Sequence, residues 1–214
     1  MRRVLARPSL VLVTDSARLR ERVLEDVVRD AVAGGAQVVQ LREKSLSHDA
    51  LVALGGRVRD AIAGRALFFV NGDVDAAIAL RADGVHLPED GAAIADVRAR
   101  VGPDMLISRA VHSVDAAVRA QREGADIVQL GTAFETSSKP GRATIGIEGV
   151  RAVCAAVRIP VIAIGGIRAA NAGDVIAAGV SGVAVIGAIF ESDEPRAAAA
   201  ALRAAIDAAV ASKA

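Results

Sequence analysis

The side chains best suited to chemistry lie in short motifs that follow apolar runs of the chain. The first motif is Gln40-Leu41-Arg42-Glu43-Lys44, where strand alternation places Gln40, Arg42 and Lys44 on one face. An arginine fork beside a lysine point charge suits a phosphate or a pyrophosphate. The alternative is a salt bridge to a neighbouring strand. Because two cations on one face would be costly without an anion, the sequence favours a ligand there.

One histidine stands where a proton-transfer group is expected. His112 follows an apolar run and shares a strand face with Ser108 and Ala110. Imidazole titrates near neutral pH and can both donate and accept a proton. We therefore predict a catalytic role for His112, with packing as the alternative. His86 lies within another apolar run, which is typical of an enclosed core histidine.

Two apolar, β-branched runs near the C-terminus end in glycine. Glycine lets backbone N–H groups approach an anion closely. The residues predicted to bind a phosphate in this way are Gly165, Gly166, Ile186, Gly187 and Ala188. The alternative is that these glycines only form tight turns.

Further polar residues follow other strands. Asn71 is predicted to bind a ligand, although asparagine also closes turns. Asp73 is predicted to cap a helix rather than to bind a ligand. Glu89 and Asp90 could hold Mg²⁺, which takes oxygen ligands, but we favour their role as acids that open a helix.

A longer polar loop follows the sixth predicted strand, between Thr132 and Gly146. It contains Thr136, Ser138 and Lys139, which are predicted to bind substrate. Hydroxyls, a cation and a Pro-Gly pair would allow such a loop to close over a bound anion. The alternative is an ordinary solvated loop.

Strands and helices that would position these motifs alternate strictly along the chain. The predicted strands are Ser9–Thr14, Gln37–Arg42, Ala66–Asn71, Gly84–Leu87, Met105–Val111, Asp126–Gly131, Pro160–Ile164 and Gly182–Ile186. The predicted helices are Arg18–Ala33, His48–Ala63, Val74–Leu80, Ala92–Val101, Val114–Glu123, Glu148–Val157, Ala169–Ala178 and Arg196–Ala211.

Nearly all-apolar strands indicate a parallel sheet that is covered on both faces. The count of strands and the glycine ends of the last two favour a single (β/α)₈ TIM-barrel domain over residues 1–214. A doubly wound open sheet is the alternative.

The composition narrows the class of function. The net charge is +1 and aromatic residues make up 2% of the chain, so neither an electrostatic field nor stacking platforms for nucleic acid are expected. We expect no membrane segment, because no apolar run reaches about 18 residues. The single cysteine rules out an internal disulfide framework and fits a cytoplasmic protein.

The motifs together resemble the thiamine phosphate synthase/TenI family. The matching segments, in the family's order, are Val13-Thr14-Asp15, Gln40–Lys44, Asn71, Asp83–Leu87, Val111–Ser113, Phe134–Thr136 with Lys139, and Ala163–Ile167. The resemblance implies a TIM barrel of thiamine biosynthesis that binds a small-molecule thiazole phosphate. It leaves a homodimer open.

The positions where this sequence differs from the synthase motifs determine which activity we expect. Gly72 stands where synthases carry a metal-binding Asp, and Ala110 stands where they carry a pyrophosphate-binding Ser. The segment His86–Asp90 is one residue short. The resemblance therefore points to a TenI-type thiazole tautomerase, an isomerase without a cofactor. In it His112 would move a proton from C2 of a carboxythiazole phosphate to its exocyclic carbon.

Two other functions stay open. One is a Mg²⁺-dependent thiamine phosphate synthase, which would join an aminopyrimidine pyrophosphate to the thiazole phosphate and use Asp90 as a metal ligand. The other is a sensor that binds thiazole phosphate without catalysis.

Overall fold

Strands and helices alternate throughout the part of the chain that the structure, a computed structural model, describes: residues 5, 8–136, 141 and 143–212. The strands are β1 (Ser9–Val13), β2 (Val38–Leu41), β3 (Leu67–Asn71), β4 (Gly84–Leu87), β5 (Leu106–Val111), β6 (Ile127–Leu130), β7 (Val161–Ile164) and β8 (Gly182–Val185). The helices are α1 (Leu24–Ala33), α2 (His48–Ile62), α3 (Val74–Ala79), α4 (Ile94–Val101), α5 (Val114–Arg122), α6 (Gly146–Ala156), α7 (Ala169–Ala177), α8 (Gly187–Phe190) and α9 (Pro195–Ala211).

The strands form one closed barrel. Each strand pairs in parallel with the next along the chain, and β8 pairs with β1 through contacts such as Leu10 with Val183. This confirms the (β/α)₈ barrel and excludes the open sheet. Because all strands run in one direction, the loops that follow them meet at one rim.

Apolar side chains form two cores on the two faces of the barrel wall. Val11, Val13 and Phe69 lie in the core inside the barrel. Leu10 and Leu12, from the alternate positions of β1, pack in the outer core between strands and helices. Burying one such leucine stabilises the fold by about 2 kcal/mol. The pairing register of the strands is therefore specified, because a shift of one strand by one residue would exchange its inner and outer side chains.

Two elements differ from the sequence prediction by more than two residues. The first helix begins at Leu24 instead of Arg18, because a short 3₁₀ turn occupies Ser16–Arg18 and Arg20 takes a positive φ of 55°. Such a φ interrupts a right-handed helix. The short helix α8, directly after β8, was not predicted, since four residues show no helical periodicity.

Candidate active site at the C-terminal rim of the barrel

The interior of the barrel is polar near the C-terminal ends of the strands. Gln40 Nε2 donates to Asn71 Oδ1 at 3.1 Å, joining the ends of β2 and β3. His86 Nδ1 and Ser108 Oγ lie 3.0 Å apart between β4 and β5. His86 is 4% exposed, as expected for an enclosed histidine. These pairs put hydrogen-bonding groups directly below the rim.

Arg42 and Lys44 follow β2 at the rim, where Arg42 is half-buried and Lys44 is exposed. Glu43 between them is held by the loop after β1: Thr14 Oγ1 donates to Glu43 Oε1 at 2.6 Å, and the Ser16 N–H donates to Oε2 at 3.1 Å. Arg42 N–H donates to Thr14 Oγ1 at 2.8 Å. Both oxygens of the Glu43 carboxylate are therefore engaged by the loop after β1.

The salt-bridge alternative for these cations finds no support. Within residues 5, 8–136, 141 and 143–212, neither Arg42 nor Lys44 forms an ion pair. The sequence singled out Arg42 and Lys44 but missed Thr14 and Glu43 as the groups that orient their loop. Both residues stand in segments that match the family, Val13-Thr14-Asp15 and Gln40–Lys44, but nothing in the sequence indicated that their side chains meet.

His112 lies at the end of β5 with its side chain 30% exposed, and its Nδ1 contacts Glu89 Oε2. An ionised carboxylate can only accept, so with Glu89 ionised Nδ1 would be the donor of this contact and Nε2 would be left for other partners. The predicted helix-opening role of Glu89 and Asp90 is wrong. Helix α4 begins only at Ile94, and the loop before it turns Glu89 towards His112.

The turn after β7 requires glycine twice. Gly165 and Gly166 have φ values of +110° and +63°, a region that L-residues with a Cβ rarely adopt. A Cβ on Gly166 would lie 2.3 Å from Glu135 O. The loop after β6 rests on this turn, since Phe134 N–H donates to Gly165 O at 3.0 Å. Both glycines therefore form a tight turn, and the close packing leaves its backbone little freedom. Phosphate binding at this turn stays a prediction.

The turn after β8 lies next to it, because β7 and β8 are paired through Ile164 and Ala184. Ile186 caps helix α8, and Gly187 and Ala188 form its first turn. A short extra helix after strand eight is a recurrent part of phosphate sites in TIM barrels. The structure thus brings the predicted phosphate-binding residues of both turns to one side of the rim.

The loop after β6 is described only in part. Thr136 is half-buried and follows Phe134 and Glu135, which pack on the glycine turn. Ser138 and Lys139 lie outside the described residues. Their predicted roles in substrate binding stay predictions.

Asp73 caps helix α3, as predicted. Its Oδ1 accepts from Ala76 N at 2.8 Å, and its Oδ2 lies 2.8 Å from Nδ1 of His48 at the start of α2. Asp90 is exposed in the loop after β4. Over the described ranges, no three His, Cys, Asp or Glu side chains form a group that could hold a metal ion.

The pair His48–Asp73 predicts a pH-dependent contribution to stability. The hydrogen bond to Asp73 raises the pKa of His48. Burial acts to raise the pKa of Asp73, but hydrogen bonds from Ala76 N–H and His48 outweigh it and lower that pKa. The stabilisation that comes from the raised pKa of His48 is fully present below the unfolded-state pKa of about 6.5. It is lost as pH rises through the pKa of His48 in the folded state. Stability from Asp73 is lost only in acid.

We therefore expect His48→Asn to lower the melting temperature at about pH 5.5 and to have almost no effect at about pH 9. Thermal unfolding of both proteins at the two pH values measures this difference. The same difference at both pH values would contradict a role for the protonated imidazole.

The fold and the rim define a (β/α)₈ barrel whose polar groups converge at the C-terminal ends of the strands. The sequence profile described as thiamine monophosphate synthase matches residues 10–189. The chain therefore belongs to the thiamine phosphate synthase/TenI family, which confirms the resemblance in the sequence.

Relatives match over nearly the whole chain. A thiamine-phosphate synthase of Methanoculleus marisnigri is 46% identical over 199 residues, covering 91% of this chain and 93% of that protein. One of Chloroflexus aurantiacus is 42% identical over 198 residues, covering 91% of each. The solved structure of thiamine phosphate pyrophosphorylase from Pyrococcus furiosus is 34% identical, with a TM-score of 0.86 over 96% of this chain and 98% of that one. A 3-hexulose-6-phosphate synthase, 21% identical with a TM-score of 0.70, shares the fold alone.

These comparisons correct the expected activity. The prediction of a thiazole tautomerase, and with it the isomerase class, is wrong. Relatives at 42–46% identity over most of the chain carry the name of the synthase, which is a transferase. None of the helices in the described ranges is long and apolar enough to span a membrane.

Proposed function

We propose that this protein is a thiamine-phosphate synthase, a transferase that joins an aminopyrimidine pyrophosphate to a thiazole phosphate. The observation that carries the proposal is the 46% identity to a relative of that name over 91% of the chain. The rim supports it, because it offers two cations after β2 and close backbone turns after β7 and β8. Two separate anion sites suit two anionic substrates.

The thiazole phosphate would bind through its phosphate at the paired turns after β7 and β8. Gly165 and Gly166 approach a ligand with backbone alone, and Gly187 and Ala188 add the first N–H groups of α8. Ile186 precedes them. Gln40 and Asn71, joined to each other below the rim, would supply amide groups to a ring lying above them.

The pyrophosphate would bind at Arg42 and Lys44. The reaction breaks the bond between the methylene carbon of the pyrimidine and a pyrophosphate oxygen, and forms a bond from that carbon to the thiazole nitrogen. Pyrophosphate leaves with the bonding electron pair, so negative charge grows on its oxygens. Fixed cations stabilise such charge most when their own counterions are absent, and Glu43 is engaged by Thr14 and Ser16.

His112 stays the predicted catalytic residue of this rim. Its Nδ1 is paired with Glu89, so Nε2 is the nitrogen that could hydrogen-bond a substrate or the leaving group. Thr136, Ser138 and Lys139 are proposed to contact substrate from the loop after β6.

The resemblance implies Mg²⁺ for a synthase, and the described carboxylates fit a metal site poorly. Gly72 has no side chain, and both oxygens of Asp73 are engaged by Ala76 and His48. Asp90 is the one remaining carboxylate that the resemblance assigns as a ligand, and a single carboxylate holds Mg²⁺ only together with substrate phosphates. We assign no step of the reaction to a metal.

The test is direct. Purified protein is incubated with both substrates, with and without Mg²⁺, and thiamine phosphate and pyrophosphate are quantified by chromatography. We expect the two products in equal amounts, and none when either substrate is omitted. Binding of the thiazole phosphate without formation of thiamine phosphate under either condition would contradict the proposal.

A further inference from the structure

The loop between β4 and α4 is held from outside the barrel by one buried arginine. Arg109 of β5 is 4% exposed. Its Nη1 donates to Pro88 O at 2.7 Å and to Glu89 O at 3.3 Å, and its Nη2 donates to Ala92 O at 2.6 Å. A single guanidinium therefore donates hydrogen bonds to three carbonyl groups of one short loop.

The same loop places the partner of His112. The main-chain oxygen of Glu89 accepts from Arg109, and its side-chain Oε2 contacts His112 Nδ1. Its other oxygen, Oε1, lies 3.8 Å from Arg119 Nη2 of helix α5. Glu89 thus connects the buried arginine to the imidazole at the rim.

Strand alternation explains why the two groups of β5 lie on different sides of the wall. His112 continues the inner face of Ser108 and Ala110, whereas Arg109 points outwards beneath the loop. Burial lowers the pKa of Arg109, which reflects the cost of enclosing its charge. A planar fork with five donors can satisfy several carbonyls at once, and a lysine point charge cannot.

We propose that Arg109 is a positioning residue of the rim. By fixing the main chain of residues 88–92, it holds the Glu89 carboxylate on His112 Nδ1 and so sets the tautomer of the imidazole. In neutral His112 the proton then resides on Nδ1, and Nε2 accepts from any partner at the rim. The consequence for turnover rests on the proposed synthase function, but the tautomer does not.

The tautomer can be measured by itself. The chain contains three histidines, so ¹⁵N-histidine labelling gives few signals, which His48→Asn and His112→Asn variants assign. In the wild type we expect neutral His112 to show the Nδ1–H pattern. In Arg109→Met we expect a mixture of both tautomers, together with a fall in kcat of about 10-fold or more and a smaller change in KM.

A double mutant tests whether Arg109 acts through Glu89. Glu89→Ala should give the same mixed tautomer, and Arg109→Met in that background should cause little further change. Arg98→Met is the matched control. Arg98 also donates to main-chain carbonyls, Gly102 O at 2.9 Å and Met105 O at 2.6 Å, and it pairs with Asp126. These contacts lie at the start of β5, at the opposite end of the strand from His112. It should leave the His112 signals unchanged.

Arg109→Lys covers the case in which the methionine variant does not fold, because it keeps the aliphatic stem and the charge. One ammonium group cannot replace the fork, so the tautomer should still become mixed. A pure Nδ1–H pattern in both folded Arg109 variants, with a mixed pattern in Glu89→Ala, would overturn the proposal. A changed tautomer without synthase activity in the wild type would contradict only the proposed function.

Discussion

Replacement of Gly166 by alanine is expected to lower kcat/KM for the thiazole phosphate by about 10²-fold, the scale of a 1 Å misplacement at a reacting site. The added Cβ would lie 2.3 Å from Glu135 O and 2.8 Å from the Phe134 Cβ. Both neighbours belong to the loop after β6, which hydrogen-bonds to the same turn through Phe134 N–H and Gly165 O. Relief of the clash must therefore move either the turn after β7 or the loop beside it. Steady-state kinetics and titration with thiazole phosphate measure the effect.

Gly64→Ala is the matched control. Gly64 has a φ of +70°, close to the +63° of Gly166, but a Cβ there meets no atom within 4 Å. Both variants carry the cost of a left-handed residue, about 1 kcal/mol. Only Gly166→Ala changes the packing at the rim. Equal kinetics for the two variants would show that the turn after β7 does not hold the phosphate.

The fold was predictable because it depends on patterns that are local in sequence. All-apolar strands such as Val161–Ile164 can only be buried on both faces, which requires helices on the outside and a closed or doubly covered sheet. The error at the first helix has a tertiary cause. Arg22 reaches carbonyl oxygens of Phe190 and Ser192, so the chain before Leu24 follows the loop after β8 and not its own helical spacing.

The candidate site was predictable where strand alternation decides it. Alternation placed Gln40 on one face with Arg42 and Lys44, and on that face its side chain meets Asn71, the last residue of β3. The contact between Glu89 and His112 could not be predicted, because it joins residues 23 apart through the shape of a loop. The buried Arg109 beneath that loop was missed for the same reason.

The activity was mispredicted because a few departures were given too much weight. Gly72 and Ala110 each replace a single group of the synthase pattern, one metal-binding Asp and one pyrophosphate-binding Ser. Identity of 46% over 199 residues reflects the whole barrel and rim. It supports the synthase over the tautomerase, because that relative carries the name of the synthase.

Loss of both rim cations is expected to have the largest effect on turnover. In the variant Arg42→Met/Lys44→Met we expect kcat/KM for the aminopyrimidine pyrophosphate to fall by about 10³-fold, since removal of one group that stabilises developing charge typically costs 10²–10³ in rate. Binding of the thiazole phosphate, at the turns after β7 and β8, should change little. Calorimetric titration of each substrate, with steady-state rates, separates the two sides of the rim.

The control must change the net charge equally without touching the rim. Arg65→Met/Arg81→Met does so, because these exposed arginines precede β3 and β4 at the opposite end of the barrel. Methionine keeps most of the length of both side chains, so packing of their stems is preserved. If the control lowered kcat/KM as much as the rim variant, the cations would act through overall charge. If neither variant lowered it, the pyrophosphate would have to bind elsewhere. A fall in kcat itself that is confined to the Arg42/Lys44 pair would indicate that these two groups meet the leaving pyrophosphate, because loss of uniform binding would raise KM and leave kcat unchanged.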